Sequence, residues 1–395
     1  MSYRVLIAGG GVAALETLLA LRRLAPERVE VELLAPQPEF SFRPLSVIEP
    51  FGGEPPFSAD LSAIAADQGA RFRRDALAGI DTEARVARTA AGDELSYDAL
   101  VVACGARTRE ALSGAITFMG AAGRERVAAL LRRVEAGQVG EVVFALPVGA
   151  GWPLPLYELA LLTAAHLERV RRPATLSFVT PEAAPLEIFG ERASAAVASL
   201  LSDHAITLLT GVEPRKVREG HLELSHGGRI AADAVVALPW LEGPAIDGLP
   251  RAESGFVPVD ERGRVLGADG VYAAGDATTI PIKQGGLAAQ QADAVAELVA
   301  AEAGADVDPV SGPPVLRGLL LTGDRPRFMR AELHAAGIDG SVASDDALWW
   351  PPSKIAGRYL APYLAQLAGS GPAPPAPTQA ETVEVELSPA AEVAR

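Results

Sequence analysis

Two short segments, far apart in the chain, combine residue types that suit dinucleotide chemistry. Near the start, Val5-Leu6-Ile7-Ala8-Gly9-Gly10-Gly11-Val12-Ala13-Ala14 reads as a strand, a glycine turn and the opening of a helix. Gly9-x-Gly11-x-x-Ala14 has the spacing of a dinucleotide fingerprint. The first glycine permits the tight turn, the second lets a phosphate approach the backbone, and the small Ala14 lets the helix pack close to the strand. Val12 and Ala13 open that helix, whose free N–H groups and positive dipole end favour a pyrophosphate. The second segment, Gly270-Val271-Tyr272-Ala273-Ala274-Gly275-Asp276-Ala277, reads as a strand that ends in a Gly275-Asp276 pair. Either segment alone is weak evidence for a cofactor; together, in this order, they are strong.

The elements that must position these residues follow from apolar periodicity. Residues 4–8, a helical stretch from Val12 to Leu24 and a strand from Val29 to Leu34 form a β-α-β unit of the size expected for a dinucleotide fold. Leu95 to Ala103 reads as one further strand ending at Cys104-Gly105. A second unit follows: strand Glu141–Leu146, helix Leu156–Arg169, strand Leu176–Thr180, helix Ala193–Leu201, strand Ile206–Thr210 and a closing strand over residues 234–238. The chain then returns to the first unit at residues 270–276, and a helix runs from about Gly286 to Ala303.

Composition narrows the class. A chain of 395 residues is too long for one ordinary core, and a 49% hydrophobic content suits a folded protein. The net charge of −15 argues against nucleic acid and anionic lipid as partners. No run of about 18–20 apolar residues suggests a spanning helix, and residues 1–8 read as a core strand rather than a leader. The single cysteine, Cys104, excludes an intrachain disulfide or dithiol and fits a cytoplasmic setting. No cluster of residues calls for a metal.

The chain resembles the flavoprotein family that holds sulfide:quinone oxidoreductases, flavocytochrome c sulfide dehydrogenases and type II NADH dehydrogenases. The resemblance covers most of residues 1–365. It rests on Gly9 to Ala14, on Phe40-Ser41-Phe42-Arg43-Pro44-Leu45, on Val102-Ala103-Cys104-Gly105, on Gly275-Asp276 and on Lys283 to Ala292. It implies an α/β protein with two Rossmann-like FAD/NAD(P)-binding domains of glutathione-reductase type. The expected division is 1–108 with 245–310 as the split FAD domain, 109–244 as the second domain, 311–368 as a small C-terminal region and 369–395 as a disordered tail. FAD is the implied cofactor. Gly9, Gly11, Val12, Ala13 and Ala14 would face its pyrophosphate, and Arg43 and Pro44 its isoalloxazine. Cys104 and Gly105 would lie beside it, with Cys104 as a buried structural residue. Gly275 and Asp276 would hold the ribityl chain. A helix starting near Gly286 would aim its N-terminus at the flavin pyrimidine edge, where a dipole and Lys283 would stabilise the reduced form.

Several positions depart from the family. The acid that usually binds the adenosine ribose is replaced by Ala35, leaving Gln37 or backbone for that role. The redox cysteine pair of the sulfide-oxidising members is missing, which excludes sulfide oxidation by that route. In the second unit the turn Pro147-Val148-Gly149-Ala150-Gly151-Trp152-Pro153-Leu154-Pro155-Leu156 places Gly151, Pro153 and Leu156 at the three glycine positions. Pro153 has no N–H to donate and Leu156 would hold the helix off a phosphate, which argues against the usual NAD(P)H pose. Glu182 stands where a ribose acid could act, and Ala289-Gln290 matches part of a quinone-side pattern. Glu158 occupies a helix position that in relatives points to the reactive flavin edge, where it would relay a proton or pair with a cation; the alternative is an exposed first-turn glutamate that favours the helix dipole.

In the C-terminal region Ile355, Tyr359, Leu360, Tyr363, Leu364 and Leu367 share a helical face, interrupted at Pro362. With Lys354 and Arg358 as the nearby cations, packing on the FAD domain or dimer contact is favoured over peripheral contact with the inner face of a membrane. The expected activity is that of a FAD-dependent oxidoreductase passing electrons to a quinone or similar acceptor, with NAD(P)H left open as donor. The alternatives are a redox sensor, or a divergent flavoprotein using a small non-nicotinamide reductant.

Overall fold

The computed structural model describes residues 2–307, 312–335 and 337–369. The expected tail, apart from its first residue, and part of the expected linker at 304–314 lie outside the described residues. Strands are numbered in chain order. The first sheet holds β1 (Tyr3–Ala8), β2 (Val29–Leu34), β3 (Arg71–Arg73), β4 (Ala99–Val102) and β10 (Val271–Ala273), arranged β10-β4-β1-β2-β3, all parallel. The second holds β5 (Ile116–Thr117), β6 (Glu141–Ala145), β7 (Thr175–Val179), β8 (Thr207–Leu209) and β9 (Ala234–Ala237), arranged β5-β9-β6-β7-β8, again parallel. Parallel strands of this kind must be covered on both faces, which is why β4 and β9 are apolar and buried along their whole length. The class is α/β, with two Rossmann-like sheets.

The helices are α1 (Val12–Leu24), α2 (Leu61–Asp67), α3 (Gly120–Glu135), α4 (Leu154–Val170), α5 (Glu191–Asp203), α6 (Gly285–Glu302) and α7 (Leu360–Leu367). α1 packs on α6, so the helix after the glycine turn and the helix after Gly275-Asp276 share one core with Leu15, Leu18, Ala292 and Val295. The C-terminal region adds an antiparallel sheet of β11 (Val315–Leu320), β12 (Arg327–His334) and β13 (Gly337–Ser344). Its Leu316, Leu320 and Met329 are buried with Leu154, Leu156 and Phe189 of the second unit.

Three expectations are corrected. The strand expected over Leu95–Ala103 is two strands, Glu94–Ser96 and Ala99–Val102, because Asp98 leaves the ladder to bind the Arg4 backbone and guanidinium. The helix expected from Ile355 forms only from Leu360: Pro362 has no N–H and is tolerated in the first helical turn, where that donor has no partner. The C-terminal region, expected to end in an apolar helix, also holds the three-stranded sheet β11–β13. Ile355, Leu360 and Leu364 do pack into the α1–α6 core. Among the described residues, no helix is long and apolar enough to cross a membrane.

Candidate functional site

The glycine turn has a steric reason at Gly9 and Gly10. Gly9 has φ +141°, and a Cβ there would run into the Ala103 carbonyl oxygen, so the turn is pressed onto the end of β4. Gly9 N donates to Leu34 O at 2.8 Å and Ala103 N to Ala8 O at 2.8 Å, which ties the ends of β1, β2 and β4 together. Gly10 is crowded by Leu61 and Ala35. Gly11, by contrast, is exposed and has no atom within 4 Å of a built Cβ, although it caps α1. A turn closed on two sides and open at the helix N-terminus is the cradle a pyrophosphate requires. Ala13 and Ala14 are buried behind it, and Val12 is half-buried.

Gly275 faces the same turn. Its φ is +77°, and a Cβ there would sit 3.2 Å from Ala13 and 3.3 Å from Ala288. Its N–H donates to Gln291 Oε1 at 2.7 Å, a partner the sequence did not reveal. Asp276 follows in a short 3-10 turn. Burial pushes its carboxyl up, opposed by the Lys283 and Arg43 charges. The structure therefore brings Asp276, Lys283 and Arg43 together electrostatically. Pro44 is the second residue of the 3-10 helix Arg43–Phe51.

Lys283 is buried. Its ammonium donates to Thr278 O and lies 3.9 Å from the centroid of the Phe256 ring. Burial lowers its pKa to about 8, against the pull of Asp276. Its stem is clamped by Gly151, where a Cβ would lie 2.5 Å from Lys283 Cγ, and Lys283 N donates to Gly151 O at 2.9 Å. The turn of the second unit thus serves the first. α6 begins beside it at Gly285, with Gln284 as N-cap accepting from Leu287 N at 2.7 Å and Gly286 in the first turn.

Cys104 lies just beyond the end of β4. Its surface is exposed, because β4 ends at Val102 and the chain turns out of the sheet into Gly105, at φ +72°. Crowding on its protein side nevertheless pushes the thiol up to about 11, so the reactive thiolate is scarce at neutral pH.

Glu158 is not an exposed first-turn residue. It is the fifth residue of α4 and fully buried. Its Oε1 accepts from the ammonium of Lys354 and from Leu321 N at 2.9 Å, while Oε2 is buried without a partner. Burial pushes Glu158 up and Lys354 down, and their mutual attraction opposes both shifts. The next residue, Ile355, packs on Gly285, where a Cβ would lie 2.9 Å from Ile355 Cγ1. The pair therefore adjoins the α6 N-terminus.

The N-terminus of α4, where a second dinucleotide would be expected, is packed against protein. Pro153 caps α4, and Leu154 and Leu156 are buried. Gly318 of β11 is pressed on Phe189 and Leu154, and Trp152 meets Phe189 edge-on at 5.9 Å. Glu182 accepts from Tyr157 Oη at 2.5 Å and Thr180 Oγ1 at 2.8 Å, with Tyr157 stacked on Phe178 at 4.1 Å. Burial pushes the Glu182 carboxyl up. Gln290 is also spent internally: it donates to Val315 O and accepts from Val315 N, each at 2.9 Å.

The family model described as pyridine nucleotide-disulphide oxidoreductase matches residues 3–296. The chain belongs to that family. The family is one of FAD-dependent oxidoreductases, and the turn at Gly9–Gly11 with the Gly275-Asp276 pair fits that cofactor. The chain is 25% identical over 198 residues to the sulfide-quinone reductase of Aquifex aeolicus (strain VF5), a match covering 46% of this chain and 44% of that protein. Among solved structures, the sulfide:quinone oxidoreductase of Aquifex aeolicus superposes with a TM-score of 0.78 at 21% identity, over 87% of each chain. A ferredoxin reductase from Rhodopseudomonas palustris does so with a TM-score of 0.62 at 22% identity, over 85% of this chain and 84% of that one. These likenesses are of fold.

Proposed function

We propose that the protein takes an electron pair at its flavin from a small, non-nicotinamide reductant and passes it to a quinone or similar acceptor. The observation that carries this reading is the blocked N-terminus of α4. A nicotinamide dinucleotide in the usual pose would place its pyrophosphate there, where Leu154 is buried under Gly318 of β11 and Pro153 offers no N–H. The carboxylate that would bind its ribose, Glu182, is held by Tyr157 and Thr180. With one cysteine in the chain, the protein itself supplies no dithiol relay.

FAD supplies the redox chemistry when bound. The residues do the rest. Gly11, Val12 and Ala13 offer backbone to the pyrophosphate, Asp276 a carboxylate to the ribityl chain, and Gly105 and Pro44 shape the adjoining walls. Lys283 and the α6 N-terminus at Gly286 place positive charge where reduction builds negative charge. Glu158, its carboxyl pushed up by burial and answered by Lys354, is positioned to hold or release a proton. This reading places the protein in the cytoplasm, with an acceptor that it meets in solution or at a membrane surface.

The test is anaerobic mixing of FAD-loaded protein with NADH and with NADPH while the oxidised-flavin absorbance is followed. The expected result is no bleaching with either nucleotide in protein that dithionite reduces normally. Rapid bleaching by either would overturn the choice of donor.

A further inference from the structure

α1 and α6 are apolar helices that each carry a carboxylate into their shared interface. Glu16 is fully buried, and Asp293 lies on α6, the helix packed along α1, close enough for each carboxyl to influence the other's charge. Two ionised carboxylates at such a separation repel, and each is costly to strip of water. Glu16 carries the demand for negative charge: it accepts from Tyr359 N at 2.7 Å and Leu360 N at 2.8 Å, the free N–H groups at the start of α7. Gly357 is flush against it, since a Cβ there would run into Glu16 Oε2. Asp293 Oδ1, by contrast, is buried without a hydrogen-bond partner.

We propose that Glu16 and Asp293 share one proton, held on Asp293, and that this proton latches segment 357–360 onto the flavin-binding unit. Asp293 donates it to Glu16, and the ionised Glu16 grips the α7 N-terminus. The latched segment follows directly on Lys354 and Ile355, which pair with Glu158 and cover Gly285, so the latch is a positioning device for that part of the site. Loss of the proton puts two negative charges side by side in the interface and loosens the segment.

Of the groups facing the pair, Glu16 and Glu297 favour the proton on Asp293 and the Arg358 charge opposes it, with burial and Glu16 the larger influences. α6 adds Glu297, whose carboxylate disfavours a second charge on Asp293. The segment adds Arg358, 3.5 Å from Glu297 and 5.3 Å from the Tyr359 ring centroid. Burial raises the Tyr359 phenol, so that group stays neutral across the relevant range. Burial and the neighbouring Glu16 together push Asp293 up to about 9. Because the docked state holds a proton that the undocked state releases, docking is favoured at low pH and weakens as pH rises towards 9.

The experiment is hydrogen exchange of the amides in 357–367, corrected for intrinsic rates and referenced to α3, between pH 6 and pH 10. Wild-type protection is expected to fall with rising pH by up to tenfold per unit, the slope set by one proton, and to level off above about 9. Asp293→Asn, whose amide donates to Glu16 at every pH, is expected to hold protection constant. If Asp293→Asn keeps the wild-type slope, the dependence comes from elsewhere, Lys354 included, and the proposal fails. If the variant does not fold, the infrared spectrum of the wild type decides: a protonated carboxylic acid band at pH 7 that disappears by pH 10 is expected, and its absence at pH 7 overturns the proposal.

Discussion

Replacing Lys354 by Met removes the ammonium from Glu158 but keeps most of the stem volume. Glu158 then retains only the Leu321 N–H as a partner, in a site without solvent. Breaking a buried pair from one side costs about 3–5 kcal/mol. Protonation sets a ceiling. A carboxyl with a reference pKa of 4.5 can be neutralised at pH 7 for about 3.4 kcal/mol, since each unit is worth about 1.4 kcal/mol. The expected penalty is therefore about 3 kcal/mol at pH 7, shrinking to under about 1 kcal/mol at pH 5, where neutralisation is nearly free. The sign follows from a folded-state pKa raised above the unfolded one: the variant loses stability, relative to wild type, as pH rises. The assay is urea unfolding of wild type and K354M at both pH values, followed by tryptophan fluorescence. The double variant Glu158→Leu with Lys354→Met removes both charges and is expected to recover most of the loss. A penalty below about 1 kcal/mol at pH 7, or one that does not change with pH, would refute the account of this pair.

Three further outcomes follow. Gly9→Ala is expected to destabilise by well over about 1 kcal/mol, because its φ is positive and its methyl meets Ala103 O, whereas Gly11→Ala should leave stability within about 0.5 kcal/mol and lower FAD content; thermal melts and flavin-to-protein absorbance ratios check both. Lys283 titrates at about 8, so the reduced flavin should lose electrostatic support above that pH, with a flavin midpoint potential that falls more steeply with pH in wild type than in Lys283→Met, measured by equilibrium dye reduction. Tyr157→Phe removes a hydrogen bond to a buried carboxyl and is expected to cost about 1.5–3 kcal/mol in urea unfolding, without creating NADH binding detectable by calorimetry, since β11 still covers α4.

The inner strands of the parallel sheets were legible because they are short apolar runs, whereas the edge strands Arg71–Arg73, which is polar, and Ile116–Thr117, which is two residues long, carry no such pattern. The Gly9 turn and the Gly275-Asp276 pair were legible because backbone geometry dictates residue type there. What escaped depends on contacts distant in sequence. Nothing near Glu158 announces Lys354, which arrives 196 residues later. The exposure of Cys104 also escaped: its burial was implied by the family resemblance, and the strand ends two residues short of it. Gln290 fits an acceptor-side pattern in sequence and is consumed by Val315 in space. A signal for the Glu16–Asp293 pair was present: Glu16 is the one acid of α1, Asp293 and Glu297 interrupt the apolar stretch of α6, and burying an acid requires a partner. Its partner segment, across 343 residues, was not readable.

The most direct test of the account is reoxidation. Protein reduced anaerobically with stoichiometric dithionite would be mixed with a soluble quinone, and the flavin spectrum and quinol product followed together. The account predicts full return of the oxidised flavin with one quinol formed per flavin. A flavin that stays reduced in excess quinone, while oxygen still reoxidises it, would contradict the assignment of a quinone-type acceptor.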